Sequence, residues 1–383
     1  MAWPERRATV DEGELDSSRG PGGFLQAGSI LYLKGCGPQL SRHFSTGNLD
    51  LNISLPMSRR LLLLICRIGS PRGVVFAIAA SIAMQPVRAQ TAPHAVVFVT
   101  VQPDVRLEVL DWGGRGPALV FLAGFGNTAH IFDSFAPQFT DQYHVLAITR
   151  RGFGASSRPT SGYDTGTLTQ DITIVLDSLG IRRAAFVGHS FAGSELSYLG
   201  AFHPDRVAQL IYLDASYDFA RLYADPRWQH AFPIPRPAAP TASDIGEWRR
   251  WFALVIGPGV PDDEIRHLKS NGAPDLSTAL ERGARSSAFG RIRSPVLACW
   301  AAPRSVEDQY PYWPSLDSAE RSRLQASFND QQAVRRNHLQ EFQAQVVGAR
   351  VVEIAGGRHY LFLSHRREVA TAMRAFLASP HTR

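Results

Sequence analysis

Ser190 sits in Val187-Gly188-His189-Ser190-Phe191-Ala192-Gly193, between an apolar run, Arg183 to Val187, and a helical pattern marked by Phe191, Leu196, Leu199 and Phe202. A serine at the tip of a strand–turn–helix unit is the setting of a hydroxyl nucleophile, because the sharp turn lifts Oγ clear of the sheet. The turn crowds its flanks, so small residues are needed two positions to either side. Gly188 and Ala192 supply them, alanine standing where glycine is usual. The serine also opens a helix, where free N–H groups and the dipole favour negative charge, so the Phe191 N–H can face an oxyanion. The bland alternative is an ordinary strand-to-helix turn with a capping serine.

A free serine hydroxyl is a poor nucleophile, and imidazole can take its proton near neutral pH. His359 ends the glycine-rich loop Gly356-Gly357-Arg358-His359 after the last strand pattern, at the sheet edge expected to carry the serine turn. His189 is too near the serine in sequence to turn toward it. His365, His203, His144 and His130 read as surface or capping residues. Ala123-Gly124-Phe125-Gly126-Asn127-Thr128 follows another apolar run. Such a bend turns backbone N–H groups toward a ligand, and the Phe125 N–H would be a second oxyanion donor. Read blandly, it is a turn with Asn127 or Thr128 as helix N-cap. It is not a dinucleotide fingerprint, because Gly124-Phe125-Gly126 lacks the third glycine.

The elements that must hold these groups are legible as periodicity. Ala95 to Val101 and Val105 to Trp112 read as a hairpin. Ala118 to Leu122, Val145 to Thr149, Arg183 to Val187, Val207 to Leu213, Pro295 to Trp300 and Arg350 to Ile354 read as buried strands. Helical spacing separates them: Leu168, Ile172, Val175, Leu176 and Leu179, with Thr167 as N-cap and Gly180 beyond the end, then Asp317 to Val346, and a closing helix at Val369, Met373, Phe376 and Leu377. Strands alternating with helices imply an α/β fold with a mostly parallel sheet covered on both faces. From Tyr217 to Arg293 prolines crowd 226–240 and three helical stretches follow, Ile245 to Ile256, Asp262 to Ser270 and Leu276 to Ala288. The expected organisation is a core of 95–216 and 294–380 with a helical cap inserted at 217–293. The cap aromatics Trp228, Phe232, Trp248, Trp251 and Phe252 are expected mainly in its core, a few lining a pocket.

Four stretches together, Ala123-Gly124-Phe125-Gly126, Arg151-Gly152-Phe153-Gly154-Ala155-Ser156, Gly188-His189-Ser190-Phe191-Ala192-Gly193 and Gly356-Gly357-Arg358-His359, resemble the α/β-hydrolase superfamily in order and spacing, over roughly residues 95–380. The resemblance implies the α/β-hydrolase fold, Ser190 as nucleophile, His359 as base, and the N–H groups of Phe125 and Phe191 as the oxyanion hole. The family's usual His-Gly before the oxyanion donor is Ala123-Gly124 here. The third member, a carboxylate that holds the imidazole, usually follows the strand that is Pro295 to Trp300, and Ala302-Pro303-Arg304 has no acid there. Asp214, ending the preceding strand where some haloalkane dehalogenases of the family carry their acid, is one candidate; Glu307 and Asp308 are the alternatives. Dehalogenases and epoxide hydrolases of this superfamily use an aspartate at the elbow, and here it is serine. The implied activity is hydrolysis of a small carboxylic-ester or similar acyl substrate through an acyl-enzyme. A perhydrolase, lactonase or carbon–carbon hydrolase would use the same residues, and a non-catalytic binder of small apolar ligands would keep the fold.

Composition narrows the partners. The net charge is +6, but the basic residues are scattered rather than striped, which leaves nucleic-acid binding without support. Of three cysteines, Cys36 and Cys66 precede residue 90 and Cys299 stands alone after it, so neither an intrachain disulfide nor a zinc cluster is expected there, and no organic cofactor is implied. Residues 1–56, rich in Gly and Ser and without period, read as a disordered or untranslated leader. From Met57, Ser58-Arg59-Arg60 precedes Leu61 to Ile65 and the apolar Val74 to Met84, with a small-x-small site at Val87-Arg88-Ala89. This pattern predicts a signal peptide over 57–89, cut after Ala89, and an exported protein, periplasmic or secreted, with no stable membrane span after cleavage. Ser58-Arg59-Arg60-Leu61-Leu62 also resembles a twin-arginine signal. The alternative is an uncleaved anchor, for which Val74 to Met84 is short.

Overall fold

A computed structural model describes residues 94–379 except 233, 242 and 271–275. The expected leader and signal segment lie outside the described residues.

Eight strands form one sheet: β1 (Ala95–Gln102), β2 (Val105–Gly113), β3 (Ala118–Leu122), β4 (His144–Ile148), β5 (Ala184–His189), β6 (Val207–Leu213), β7 (Val296–Ala302) and β8 (Arg350–Ala355). Their order is β1-β2-β4-β3-β5-β6-β7-β8. β2 runs antiparallel to both its neighbours, and every pairing from β4 to β8 is parallel. The helices are α1 (Thr165–Ser178), α2 (Ala192–Phe202), α3 (Phe219–Ala224), α4 (Pro226–His230), α5 (Ile245–Val255), α6 (Asp262–Ser270), α7 (Leu276–Gly283), α8 (Val306–Gln309), α9 (Ser318–Gln345), α10 (Leu361–Ser364) and α11 (Arg366–Leu377). The chain has the α/β-hydrolase fold.

The continuous apolar runs are explained by burial on both faces. Every residue of β3 and β5 is buried. Alternate residues enter separate cores, as the two-residue period of a strand requires. Leu119, Phe121, Val187, Leu213 and Cys299 face the layer with Val369, Met373 and Phe376 of α11. Val120, Phe186, Leu210 and Tyr212 face the layer with Ile172 and Leu176 of α1 and Leu196 and Leu199 of α2.

Parallel pairing sends the C-terminal ends of β3, β5, β6, β7 and β8 to one edge. Leu122 lies opposite Gly188, His189 opposite Leu213, Leu213 opposite Cys299, and Ala302 opposite Ala355. The loops carrying Phe125, Ser190, Asp214 and His359 therefore leave the sheet side by side.

Three local expectations need correction. Asp164, not Thr167, caps α1, accepting from the Gly166 and Thr167 N–H groups, while the Thr167 hydroxyl itself donates to Asp164 at 2.7 Å. A carboxylate is the stronger acceptor at a helix N-terminus, where the dipole favours negative charge. Phe202 does not join the buried side of α2; it is 41% exposed and lies under the Arg291 guanidinium, 4.4 Å from its ring. The last helical stretch before β7 stops at Gly283, where the chain passes so close to Tyr163 that a Cβ would meet its carbonyl oxygen at 2.5 Å.

Candidate active site

Ser190 follows β5 directly and has φ +52°, a left-handed backbone that costs a non-glycine residue about 1–3 kcal/mol. Close packing of α2 against β5 and the end of β6 holds it there. A Cβ on Gly188 would lie 2.8 Å from Leu196, and one on Gly193 would lie 1.9 Å from the Ala215 carbonyl oxygen. Ala192 is fully buried, so the alanine that replaces the usual glycine is accommodated. The Ser190 N–H donates to Leu213 O at 3.2 Å and its carbonyl accepts from Gly193 N at 2.8 Å.

Asp214 is the other non-glycine residue with positive φ among the described residues, at +46°. It continues β6, and its N–H donates to Cys299 O of β7 at 2.8 Å. Its Oδ2 lies 2.7 Å from His359 Nδ1, and His359 Nε2 lies 2.9 Å from Ser190 Oγ. An ionised carboxylate only accepts, so Nδ1 carries the proton and Nε2 offers its lone pair to the serine hydroxyl. The structure thus brings Ser190, His359 and Asp214 into one chain of hydrogen bonds. It does not bring in Glu307, which is exposed, or Asp308, whose carboxylate is held by the Arg304 side chain at 2.9 and 3.3 Å and by its N–H at 3.0 Å. The physical reason is that the chain after β7 enters α8, where Asp308 is turned back onto Arg304 instead of toward His359.

The other oxygen of Asp214 is saturated. Oδ1 accepts from Tyr217 Oη at 2.9 Å, Ala301 N at 3.2 Å and Arg335 Nη2 at 2.8 Å. Burial alone would raise this carboxyl, but the Arg335 charge, then the hydrogen bonds from His359 and Tyr217, hold it well below the usual carboxylate range. Arg335 is itself buried on α9. Nε donates to Tyr217 Oη at 2.9 Å, Nη2 also donates to Ala301 O at 2.8 Å, and the guanidinium lies 4.6 Å from the Trp300 ring.

His189 does turn toward the site, against expectation, but toward backbone. Its Nε2–H donates to His359 O at 3.1 Å, and the two rings lie 4.7 Å apart. Complete burial, with His359 close by, pushes its imidazole well below the ordinary value, so it is neutral. It fixes the base-bearing loop from beneath.

The loops of Phe125 and Phe191 meet beside the serine, with their rings 6.4 Å apart. Among the described residues neither N–H has an intramolecular acceptor. Arg150 ties this region together. Nη2 donates to Ala123 O at 2.9 Å and Nη1 to Gly124 O at 3.3 Å, while Nε and Nη2 form a fork on Glu195 of α2 at 2.7 Å each. The same guanidinium lies 5.1 Å from the Phe191 ring. Behind the loop, buried Glu264 of α6 accepts from Asn127 Nδ2 at 2.7 Å and from the Thr128 N–H and hydroxyl. Burial raises that carboxyl to about 7 against these hydrogen bonds.

A pocket of about 870 Å³ of non-atom space, partly open to solvent, has Ser190, Asp214 and His359 in its wall. Phe219, Leu222, Trp228 and Phe232 of the segment between β6 and β7 line it, as do Tyr310 and Tyr312 after α8 and Gln331 and Arg335 of α9. Trp248, Trp251 and Phe252 instead pack in the core.

Sequence reasoning missed Arg335, Arg150, Glu195 and Glu264. A signal for Arg335 exists: Leu324, Phe328, Gln331, Arg335, Leu339 and Phe342 form the buried stripe of α9, so an arginine occupies a position that spacing assigns to the core. A charge there needs a buried partner.

Among the described residues one trio, His94, His130 and Asp133, sets metal-ligating atoms within 4.8 Å of one another. His130 is neither surface nor cap. It lies 3.0 Å from Asp133 and 3.7 Å from Glu108, and these acids, outweighing burial, raise its imidazole to about 10. Coordinating a metal there would require displacing that proton.

Residues 117–245 match the family described as the alpha/beta hydrolase fold. The chain is 35% identical over 174 residues to epoxide hydrolase A of Mycobacterium tuberculosis, spanning 44% of this chain and 49% of that protein. It is 31% identical over 215 residues to 3-oxoadipate enol-lactonase 2 of Acinetobacter baylyi, spanning 53% and 78%. A solved hydrolase from Pseudomonas aeruginosa PA01 shares the fold with TM-score 0.53 and 22% identity, over 74% of this chain and 98% of that one. The chain belongs to the alpha/beta hydrolase family. It spans about half the length of the epoxide hydrolase it matches.

Proposed function

We propose that this protein is a serine hydrolase that cleaves a carboxylic ester through an acyl-enzyme. The observation that carries the reading is the continuous relay from Ser190 Oγ through His359 to Asp214, with links of 2.9 and 2.7 Å. His359 Nε2 takes the serine proton as Oγ attacks the acyl carbonyl. The carbonyl oxygen becomes an oxyanion between the N–H groups of Phe125 and Phe191, each such donor being worth about 3 kcal/mol in the barrier. Asp214 keeps the imidazole in its productive tautomer and stabilises the imidazolium. His359 then protonates the departing alcohol, and in the second half-reaction it activates water against the acyl-enzyme.

Epoxide hydrolase A is a relative, but opening an epoxide in this superfamily uses an aspartate at the elbow, and residue 190 is serine. The enol-lactonase relative favours a second form of the same chemistry, since a lactone is an internal ester. The test is hydrolysis of 4-nitrophenyl acetate. Purified protein is expected to release nitrophenolate, and Ser190→Ala to abolish release while unfolding like the parent; release retained by Ser190→Ala would overturn the assignment. The proposal extends to export: N-terminal sequencing of protein from the producing cell is expected to begin just after Ala89, and a start at or before Met57 would contradict it. No helix among the described residues is long and apolar enough to cross a membrane.

A further inference from the structure

The pocket beside Ser190 is walled largely by aromatic side chains, yet two guanidinium groups, those of Arg236 and Arg358, also line it. Both are half-buried, and among the described residues neither has a hydrogen-bond or ion-pair partner. The acid that acts on Arg358 is Asp308, and its carboxylate is already occupied by Arg304. Among the described residues the single carboxylate lining the pocket is Asp214, whose oxygens are taken by Arg335, Tyr217, Ala301 and His359. Arg335 and Asp214 cancel one another, so the surplus charge of the pocket wall is the two free guanidiniums.

A second observation points the same way. Trp228 and Gln331 line the pocket, 8% and 6% exposed, and among the described residues their buried donors, Nε1 and Nε2, have no acceptor. Buried donors in folded proteins are nearly always satisfied, and an orphan at a pocket wall is a place for a ligand's acceptor. The Gln331 carbonyl oxygen is fixed by Tyr310 Oη at 3.1 Å, which directs the amide nitrogen elsewhere.

We propose that the substrate is an ester bearing a carboxylate, with the carboxylate held by Arg236 and Arg358 and the scissile carbonyl at Ser190. This rests on the ester-hydrolase reading of the same site. A planar carboxylate matches the guanidinium fork, and at half-buried guanidiniums the pairing is charge-assisted and less screened than on the open surface. A neutral ester of equal length leaves both cations desolvated and unpaired. The site thus selects by the cost of the wrong ligand as well as by attraction to the right one.

The test separates binding from turnover. Calorimetric titration of Ser190→Ala protein with monomethyl adipate and with dimethyl adipate, near neutral pH, is expected to give tighter binding of the monoanion by about tenfold or more. In the same background Arg236→Gln with Arg358→Gln is expected to bring that ratio to about one. With active enzyme, mono-4-nitrophenyl adipate is expected to show the higher kcat/KM against 4-nitrophenyl hexanoate. Equal or tighter binding of the diester, no binding of the monoester, or an unchanged ratio in the double variant would overturn the proposal. Stronger competition by inorganic phosphate than by adipate would move the assignment to phosphate-bearing substrates and overturn the carboxylate. If both nitrophenyl esters are hydrolysed without preference, the hydrolase reading stands and this one fails. If neither is hydrolysed but the monoanion binds selectively, the reverse holds.

Discussion

Arg335→Met removes the cation beneath Asp214 while keeping most of the side-chain volume. The Nη2–Oδ1 separation is 2.8 Å. With charge centres about 4 Å apart and an effective dielectric of about 20, the pair interacts by about 4 kcal/mol. That agrees with the roughly 3–5 kcal/mol lost when one partner of a buried pair is deleted. Tyr217 and the Ala301 N–H remain on the carboxylate, so the loss should stay near the lower end. The sign with pH follows from the depressed carboxyl. Its stabilisation is fully present above about pH 4, the unfolded value, and is lost as pH falls through the lower folded one. Without the arginine, burial acts unopposed by that charge and the folded carboxyl rises toward the unfolded value, so the variant loses less stability than the parent as pH falls below about 4. Urea unfolding at several pH values reads both effects. The expected result is a loss of about 3 kcal/mol near neutrality that shrinks in acid as Asp214 protonates. Arg335→Lys should not restore the parent, because one ammonium cannot reach Asp214, Tyr217 and Ala301 with the geometry of the fork. A loss below about 1 kcal/mol, or one independent of pH, would refute the reasoning, since that is what an exposed ion pair gives.

Other consequences can be checked alongside. Arg150→Met releases the Ala123 and Gly124 carbonyls and leaves Glu195 unpaired, so kcat on a nitrophenyl ester should fall by about 10²-fold through misplacement of the oxyanion donors, with KM changing much less; an unchanged kcat would show that the loop holds itself. Glu264 has its carboxyl raised to about 7, so its stabilising neutral form is fully present below about pH 4.5 and is lost as pH rises through about 7. Glu264→Gln, which cannot ionise, should therefore gain on the parent in thermal unfolding between about pH 5 and pH 8, and parallel curves would contradict the assignment.

Much of the architecture was readable because sheet strands buried on both faces have to be written as unbroken apolar runs. Val207–Leu213 and Ala118–Leu122 appear with the bounds their sequence implies. Parallel pairing then puts the ends of those runs at one edge, which is why Ser190 and His359, 169 residues apart, could be linked without coordinates. The acid was less legible. Local sequence favours Asp214 but leaves Glu307 and Asp308 as alternatives, and what decides between them is the capture of Asp308 by Arg304 and of Asp214 by a helix more than a hundred residues further on. Arg335 is invisible to motif reasoning because no local pattern connects α9 to β6, although its place in an apolar stripe marks it as a charge in need of a partner. Helix caps failed where two acceptors compete, as at Asp164 and Thr167, since periodicity does not rank oxygen acceptors.

The central claim is that the Ser190 hydroxyl is made nucleophilic by His359 and Asp214. Intact-mass analysis and peptide mapping after a fluorophosphonate probe test it most directly. The expected result is one adduct per chain on the peptide containing Ser190, absent in Ser190→Ala and much slower to form in His359→Ala. A folded protein that takes up no probe, or takes it up at another residue, would contradict the account.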